Sequence, residues 1–444
     1  MNVVKQYGIR GATATEIAVS IEQAVRDGRV SAGTILPTVR ALALGLRVSP
    51  TTIAAAYRGL RHRGLLSAEG RRGTRVVGRP PVASSAAVAR VEVPAHLRNL
   101  ADGNPDPALL PPLRPAFARL TGPARLYGER QNYEALLKLA ARGFAADEID
   151  PSALAITGGA LDAVERILQS HLRPGDRVVV EDPGYTAILD LLGALGLLVE
   201  PAAVDDAGLL VAPLQRALRR GARAVILTPR AQNPTGACLD AERTHALRAV
   251  LDTHPDVLLI EDDHAGPVAG TAAHTLTAER STWAVVRSVS KWLGPDLRVA
   301  VVAGDPTTIA RVEGRQQLGA GWVSHILQRV VAELWGDPQI TRRLKTAAAA
   351  YAARRETLLR ALAARGITAH GASGLNVWIP VAEEAAVMSA LVGAGFAVRG
   401  GERYRLRTPP AIRVTVAALK PGEAERVADA IARCLGPALR TAPA

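Results

Sequence analysis

Cysteine is almost missing from this chain. Its 444 residues hold two, Cys238 and Cys434. That is too few for a disulfide framework or a cysteine-ligated zinc site, so no metal is expected and a reducing cytoplasm fits. Long apolar runs are missing as well. The best, Leu189 to Val199, is short and carries Asp190, whereas a membrane helix needs about 20 apolar residues. The first residues lack the charged-then-apolar order of a secretory signal. Acid is scarce at one end only. Residues 1–80 hold 13 Lys and Arg against 4 Asp and Glu, so +9 of the net +13 lies there and the other 364 residues share +4.

What is present is length and apolar content. A chain of 444 residues, 48% of them hydrophobic, exceeds one ordinary core and predicts at least two domains. A small, strongly basic module at one end points to nucleic acid, and its patterning is that of a folded unit. Thr13-Ala14-Thr15-Glu16 has capping-box spacing, and Ile17, Ile21, Ala24 and Val25 then recur at helical spacing until Asp27-Gly28. Leu36-Pro37 predicts the start of a second helix, with Val39, Leu42 and Ala43 inward, Arg40 outward and Gly45 as its break. Ser49-Pro50 predicts a third, with Ser as cap and Pro in the first turn. Ile53, Tyr57 and Leu60 form its buried face, leaving Thr51, Thr52, Ala55 and Arg58 on the others. Leu65–Ser67 and Thr74–Val77 read as strands around the turn Gly70-Arg71-Arg72-Gly73.

Three helices and a basic hairpin make a winged helix-turn-helix, whose third helix suits the major groove of double-stranded DNA. The stretch over about residues 11–78 resembles the GntR family, through Leu36-Pro37 followed by Val39-Arg40, the helix entry Val48-Ser49-Pro50-Thr51-Thr52, and the wing. The resemblance implies DNA contacts by Arg40, Ser49, Thr51, Thr52 and Arg72-Gly73-Thr74, with Arg58 added from the exposed side of the third helix. Pro50 and Ala54 stand where relatives often carry arginine, so phosphate positioning is better supported than base readout.

Residues 79–95, rich in Pro, Ala and Ser, read as a linker between a module at 1–78 and a second domain at 96–444. Beyond it, apolar runs (Val178–Val180, Ala224–Thr228, Val257–Ile260, Trp283–Arg287, Val299–Ala303) alternate with helical stretches. That rhythm predicts an α/β fold with a mostly parallel sheet, and ligands in such sheets sit beyond the C-terminal strand ends. Polar clusters occupy those ends: Glu181-Asp182-Pro183-Gly184-Tyr185, Arg230–Gly236, Glu261-Asp262-Asp263-His264, and Ser288-Val289-Ser290-Lys291 with Arg298 seven residues on. A lysine at a buried strand end is costly to keep as an ammonium. A Schiff base with an aldehyde is one resolution, and hydroxyls with an arginine suit a phosphate. Together they suggest pyridoxal phosphate. Singly, each has an ordinary reading: Asn233-Pro234 as a turn, Asp262 as a cap, Tyr185 as packing, Arg413 as a surface charge.

The four clusters, in this order, resemble the fold-type I, class I/II aminotransferases over about residues 100–440. The resemblance implies that Lys291 forms the Schiff base, Asp262 pairs with the pyridine nitrogen, Asn233 donates to the ring hydroxyl, and Tyr185 stacks on the ring. It implies that Ser288, Ser290, Arg298 and the backbone amides of Ala160 and Leu161 hold the phosphate. It implies too that Tyr127 reaches the partner subunit's phosphate and that Arg413 holds a carboxylate. His264 stands where most relatives carry a tyrosine toward the ring hydroxyl; imidazole can donate there and titrates near neutrality. Leu161 and Ala160 stand where a side-chain amide and a hydroxyl are common.

A GntR-like module fused to such a domain resembles the MocR regulators. Ala101–Pro107, Arg223–Gly236, Asp262-Asp263-His264 and Arg287–Arg298 resemble their PtsJ-type branch, linked to vitamin B6 metabolism. This implies a cytoplasmic, domain-swapped homodimer that binds DNA, takes pyridoxal phosphate as effector, and regulates B6 metabolism with little or no transaminase turnover. Two alternatives stay open: an aminotransferase with an accessory DNA-binding domain, and a scaffold with an inactive domain.

Overall fold

The computed structural model describes residues 7–27, 29–31, 33–62, 65–68, 73–77, 93–123, 125–420 and 422–435. By compactness it divides in two: the N-terminal module with Arg173–Asp176 and Leu189–Leu198, and the remainder.

In the module, helix α1 (Ala14–Arg26) starts on the expected capping box. The Thr13 hydroxyl accepts from the Glu16 amide, and the Glu16 carboxylate accepts from the amides of Ala12 and Thr13. The next element differs from expectation. Ile35–Leu36 is a strand, β1, and helix α2 (Val39–Leu46) begins only after Thr38, whose hydroxyl caps Ala41. A threonine side chain can satisfy an orphan amide; Leu36 cannot. Gly45 does not break α2, which ends instead at Arg47 in the left-handed conformation (φ 55°). Helix α3 (Pro50–His62) follows its Ser49 cap. Strands β2 (Leu66–Ala68) and β3 (Thr74–Val76) pair antiparallel, and β1 closes the other edge of β3. Ile17, Ile21, Ala24, Leu42, Ala43, Ile53, Tyr57 and Leu60 form one core. The Tyr57 hydroxyl, sealed in that core, donates to the Pro37 carbonyl at 2.8 Å.

The second unit opens with β4 (Arg98–Asn99), which pairs in parallel with the later strand β14 (Phe396–Ala397). Its main sheet takes β5 (Leu154–Thr157), β6 (Arg177–Asp182), β7 (Leu198–Asp205), β8 (Gly208–Leu209), β9 (Ala222–Leu227), β10 (Leu258–Asp263), β11 (Trp283–Ser288) and β12 (Ala300–Gly304), in the spatial order 5-12-11-10-9-6-7-8. Strands β6, β9, β10 and β11 run parallel, so their C-terminal ends share one edge. Strand β12 runs antiparallel between β11 and β5. A smaller antiparallel sheet, ordered β13 (Asn376–Pro380), β16 (Ala411–Thr415), β15 (Arg399–Gly400), has its own apolar core. No helix of the described residues is long and apolar enough to cross a membrane.

Candidate cofactor site and DNA-binding face

The site forms where β9, β10 and β11 end. At the end of β10, alternation sends adjacent carboxylates opposite ways. Asp263 turns into a buried ion network. Arg230 holds it with two bonds of 2.8 Å, Arg287 adds one of 2.7 Å, and both arginines also reach Asp147. The two guanidinium groups hold Asp263 far below the usual carboxylate range against the cost of burial. Asp262 turns the other way. It is buried, and its Oδ1 has no hydrogen-bond partner. Burial, then the neighbouring Asp263 charge, pushes it up to about 7, with Lys291 opposing. A buried unpaired carboxylate oxygen is costly. A protonated pyridine nitrogen is a group that would satisfy it.

Lys291 lies three residues past β11. Burial, with Arg413 nearby, lowers its ammonium to about 8, while Asp262 works the other way. Its Nζ donates to the Gly103 carbonyl at 2.7 Å. Arg413, on β16, is buried: Nη1 donates to Asn233 Oδ1 at 2.9 Å, Nη2 to the Ala101 carbonyl, and the guanidinium lies 5.0 Å from the Tyr404 ring centre. Its Nε has no partner. Arg413 is thus no surface charge.

His264 departs from expectation. Its Nε2 is bonded to the Ala231 carbonyl at 2.9 Å, and burial pushes the imidazole down to about 4 rather than leaving it near neutrality. Tyr185 is 39% exposed, just before the helix Thr186–Ala194.

A group of donors suited to an anion lies at the β5 end. Ser288 Oγ donates to Ser290 Oγ at 3.0 Å, and Arg298, itself left-handed (φ 48°), donates to the Gly158 carbonyl at 3.3 Å. Helix α4 (Ala160–His171) begins there, and its first turn leaves the amides of Ala160 and Leu161 without helical acceptors. Gly159 has φ 109°, and a Cβ on it would sit 2.8 Å from Arg298 Nη2. The turn therefore requires glycine for its conformation, and a Cβ there would displace the Arg298 guanidinium. The orphaned Asp262 oxygen, the half-buried Lys291 amine and this group of donors together fit pyridoxal phosphate. Tyr127 is not brought to the site of its own chain; it is 90% exposed and edge-on to Trp322 at 5.3 Å. Sequence reasoning missed the carbonyls of Ala101 and Gly103. The glycine at 103, with φ 68°, was the available signal.

On the module, Arg40, Ser49, Thr51 and Arg58 are exposed and Thr52 is half-buried. Ser49 Oγ lies 2.7 Å from Thr51 Oγ1 and 2.8 Å from Thr52 Oγ1, and it accepts from the Thr52 amide, so this trio is also the α3 cap. Gly73 is left-handed (φ 97°), and a Cβ there would meet Ile35 at 3.2 Å. Thr74 begins β3, and Arg72 lies outside the described residues.

Residues 13–76 match the family model of bacterial regulatory proteins, gntR family, and residues 95–431 match aminotransferase class I and II. The vitamin B6 salvage pathway transcriptional repressor PtsJ of Salmonella typhimurium is 41% identical over 96% of this chain and 99% of its own. The chain belongs to the MocR family. The HTH-type pyridoxine biosynthesis transcriptional regulator PdxR of Corynebacterium glutamicum is 30% identical over 56% of each chain. Among solved structures, Pyrococcus horikoshii kynurenine aminotransferase superposes with a TM-score of 0.70 at 20% identity, over 79% of this chain and 96% of that one. Thermus thermophilus LysN, complexed with N-(5'-phosphopyridoxyl)-L-leucine, gives 0.68 at 20%, over 77% and 93%. These place the second unit of this MocR chain in the fold-type I aminotransferase fold.

Proposed function

We propose that this MocR-family chain is a transcriptional regulator of vitamin B6 metabolism whose effector is pyridoxal phosphate. The observation that carries the reading is the buried, partnerless Oδ1 of Asp262 beside the Lys291 amine. Bound there, the cofactor would supply an aldehyde for the Lys291 amine and an electron-drawing ring. Asp262 would pair with the ring nitrogen, Tyr185 would stack on the ring, and Ser288, Ser290, Arg298 and the amides of Ala160 and Leu161 would take the phosphate.

A ligand that engages Lys291 and Arg413 must compete with the carbonyls of Gly103 and Ala101. Those carbonyls lie just past the linker proposed at 79–95, between domains at 1–78 and 96–444. Site occupancy can bias the DNA-binding state only through such a difference in contacts. The exposed Tyr127 suits a cytoplasmic homodimer in which it reaches the partner's phosphate. In the module, Arg40, Arg58 and Arg72 would meet DNA phosphates, with Ser49, Thr51, Thr52, Gly73 and Thr74 alongside.

The test is binding of the full chain to the DNA upstream of its own gene, with and without pyridoxal phosphate, for the native protein and Lys291→Ala. The reading expects an affinity change on adding cofactor that Lys291→Ala abolishes. Unchanged binding in both would end it. An aminotransferase reading draws on the Arg413–Asn233 pair, a fork suited to a carboxylate; sustained turnover of amino acids would favour it.

A further inference from the structure

His264 has a defined donor pattern. The Ala231 carbonyl at 2.9 Å has no proton to give, so the ring proton sits on Nε2. Among the described residues Nε2 makes the ring's one hydrogen bond, which leaves Nδ1 without a partner there; on a neutral imidazole it is a lone-pair acceptor only. Burial keeps the ring neutral down to about pH 4, so no second donor arises near neutrality.

The anchors of the proposed site orient the cofactor. Asp262 takes the ring nitrogen, Lys291 the aldehyde carbon, and Ser288, Ser290 and Arg298 the phosphate arm. The phenolic oxygen lies beside the aldehyde, on the edge away from that arm. His264 follows directly on the last residue of β10, near enough to Lys291 for the ammonium charge to act on its ring, and the resemblance assigns Asn233 to the same edge. Asn233 Oδ1 is already used by Arg413 and Asn376, so its Nδ2 is left to donate. The edge thus offers one donor and one acceptor. A phenolate needs donors; a neutral hydroxyl accepts one bond and gives one.

The geometry points to His264 as a positioning residue that holds the phenolic oxygen of bound pyridoxal phosphate in its protonated form, through Nδ1 as acceptor. The inference rests on the cofactor reading above. It moves one proton and no other bond: the proton sits on the phenolic oxygen instead of the imine nitrogen. A neutral imine is the poorer electrophile, so attack by free amines is slow. The site retains its ligand rather than turning it over, which suits an effector pocket.

The test uses the full chain loaded with pyridoxal phosphate. Borohydride reduction and intact mass come first, to show the adduct on Lys291. Absorbance at neutral pH comes second: the hydroxyl-protonated form absorbs in the near ultraviolet, the phenolate with protonated imine in the visible. The native protein is expected to show mainly the near-ultraviolet band. His264→Tyr, which supplies a donor, should raise the ratio of visible to near-ultraviolet absorbance by about tenfold, the size expected for one charge-assisted hydrogen bond. His264→Phe, which removes the acceptor, should raise it in the same direction and carries the test if the tyrosine variant does not fold. Absence of any adduct overturns the cofactor reading and this inference together. An adduct with the visible band dominant in the native protein, or a ratio indifferent to both substitutions, overturns this inference alone.

Discussion

Asp262 is buried and Lys291 half-buried, each with incomplete pairing, and both therefore carry a pH signature. The folded value of Asp262, about 7, lies above its ordinary 3.8. Between those limits the folded chain keeps a proton that the unfolded chain has lost. This group's contribution to stability is therefore full below the lower value, falls as pH rises toward 7, and then levels. At about 1.4 kcal/mol per pKa unit the loss is at most a few kcal/mol. Asp262→Asn lacks that titration. Without cofactor, its melting temperature relative to the native chain should rise between about pH 5 and pH 8; a constant difference would mean that the carboxylate is already paired. Lys291 shifts the other way, from 10.5 down to about 8. Uptake of pyridoxal phosphate needs the free amine, so its rate should climb with pH and level just above 8. A rate still climbing toward 10.5 would point to an exposed lysine.

The turn from β5 into α4 concentrates several demands in three residues. Thr157 ends the strand, Gly159 takes the left-handed conformation, and the first helical amides open beside Arg298. Gly159→Ala should cost folding stability through its positive φ and should also weaken phosphate-dependent binding, because the added Cβ meets Arg298 Nη2 at 2.8 Å. Titration with pyridoxal phosphate and with phosphate-free pyridoxal separates the effects: equal losses for both would place the damage outside this group of donors. The segment Arg98 to Pro107 is the other element with a testable role. Its carbonyls at Ala101 and Gly103 hold Arg413 and Lys291. Adding pyridoxal phosphate should change amide hydrogen exchange there, and Lys291→Ala should remove the response. Identical exchange with and without cofactor in the native chain would remove the segment from the relay.

At the scale of the whole molecule, the uneven charge makes salt the informative variable. If Arg40 meets a phosphate, Arg40→Ala should weaken DNA binding for all sequences alike and lower the salt slope by about one. An unchanged slope, read by fluorescence anisotropy over a salt series, would take Arg40 out of the interface. Much of the architecture was legible in the chain itself. The capping box at Thr13–Glu16, the Ser49-Pro50 helix start, the apolar runs of β6, β9, β10 and β11 and the polar clusters after them are local signals, set by backbone orphans and by burial on both sheet faces. The start of α2 and the strand Ile35–Leu36 were misread because Pro37 looks like a helix start, while the pairing with β3 is long-range. Other features lay beyond local reading altogether. Nothing local tells Asp262 from Asp263, or β12 as antiparallel inside a parallel sheet. Nothing local tells His264 as a ring with its Nε2 committed to Ala231. These depend on partners 24 to 33 residues away or more, such as Arg287 and Arg230 on Asp263. Residue types and their local spacing determined which groups gather at the strand ends; only packing decided which are paired and which are left facing the site, because burial cost is settled by neighbours that the chain brings in from a distance.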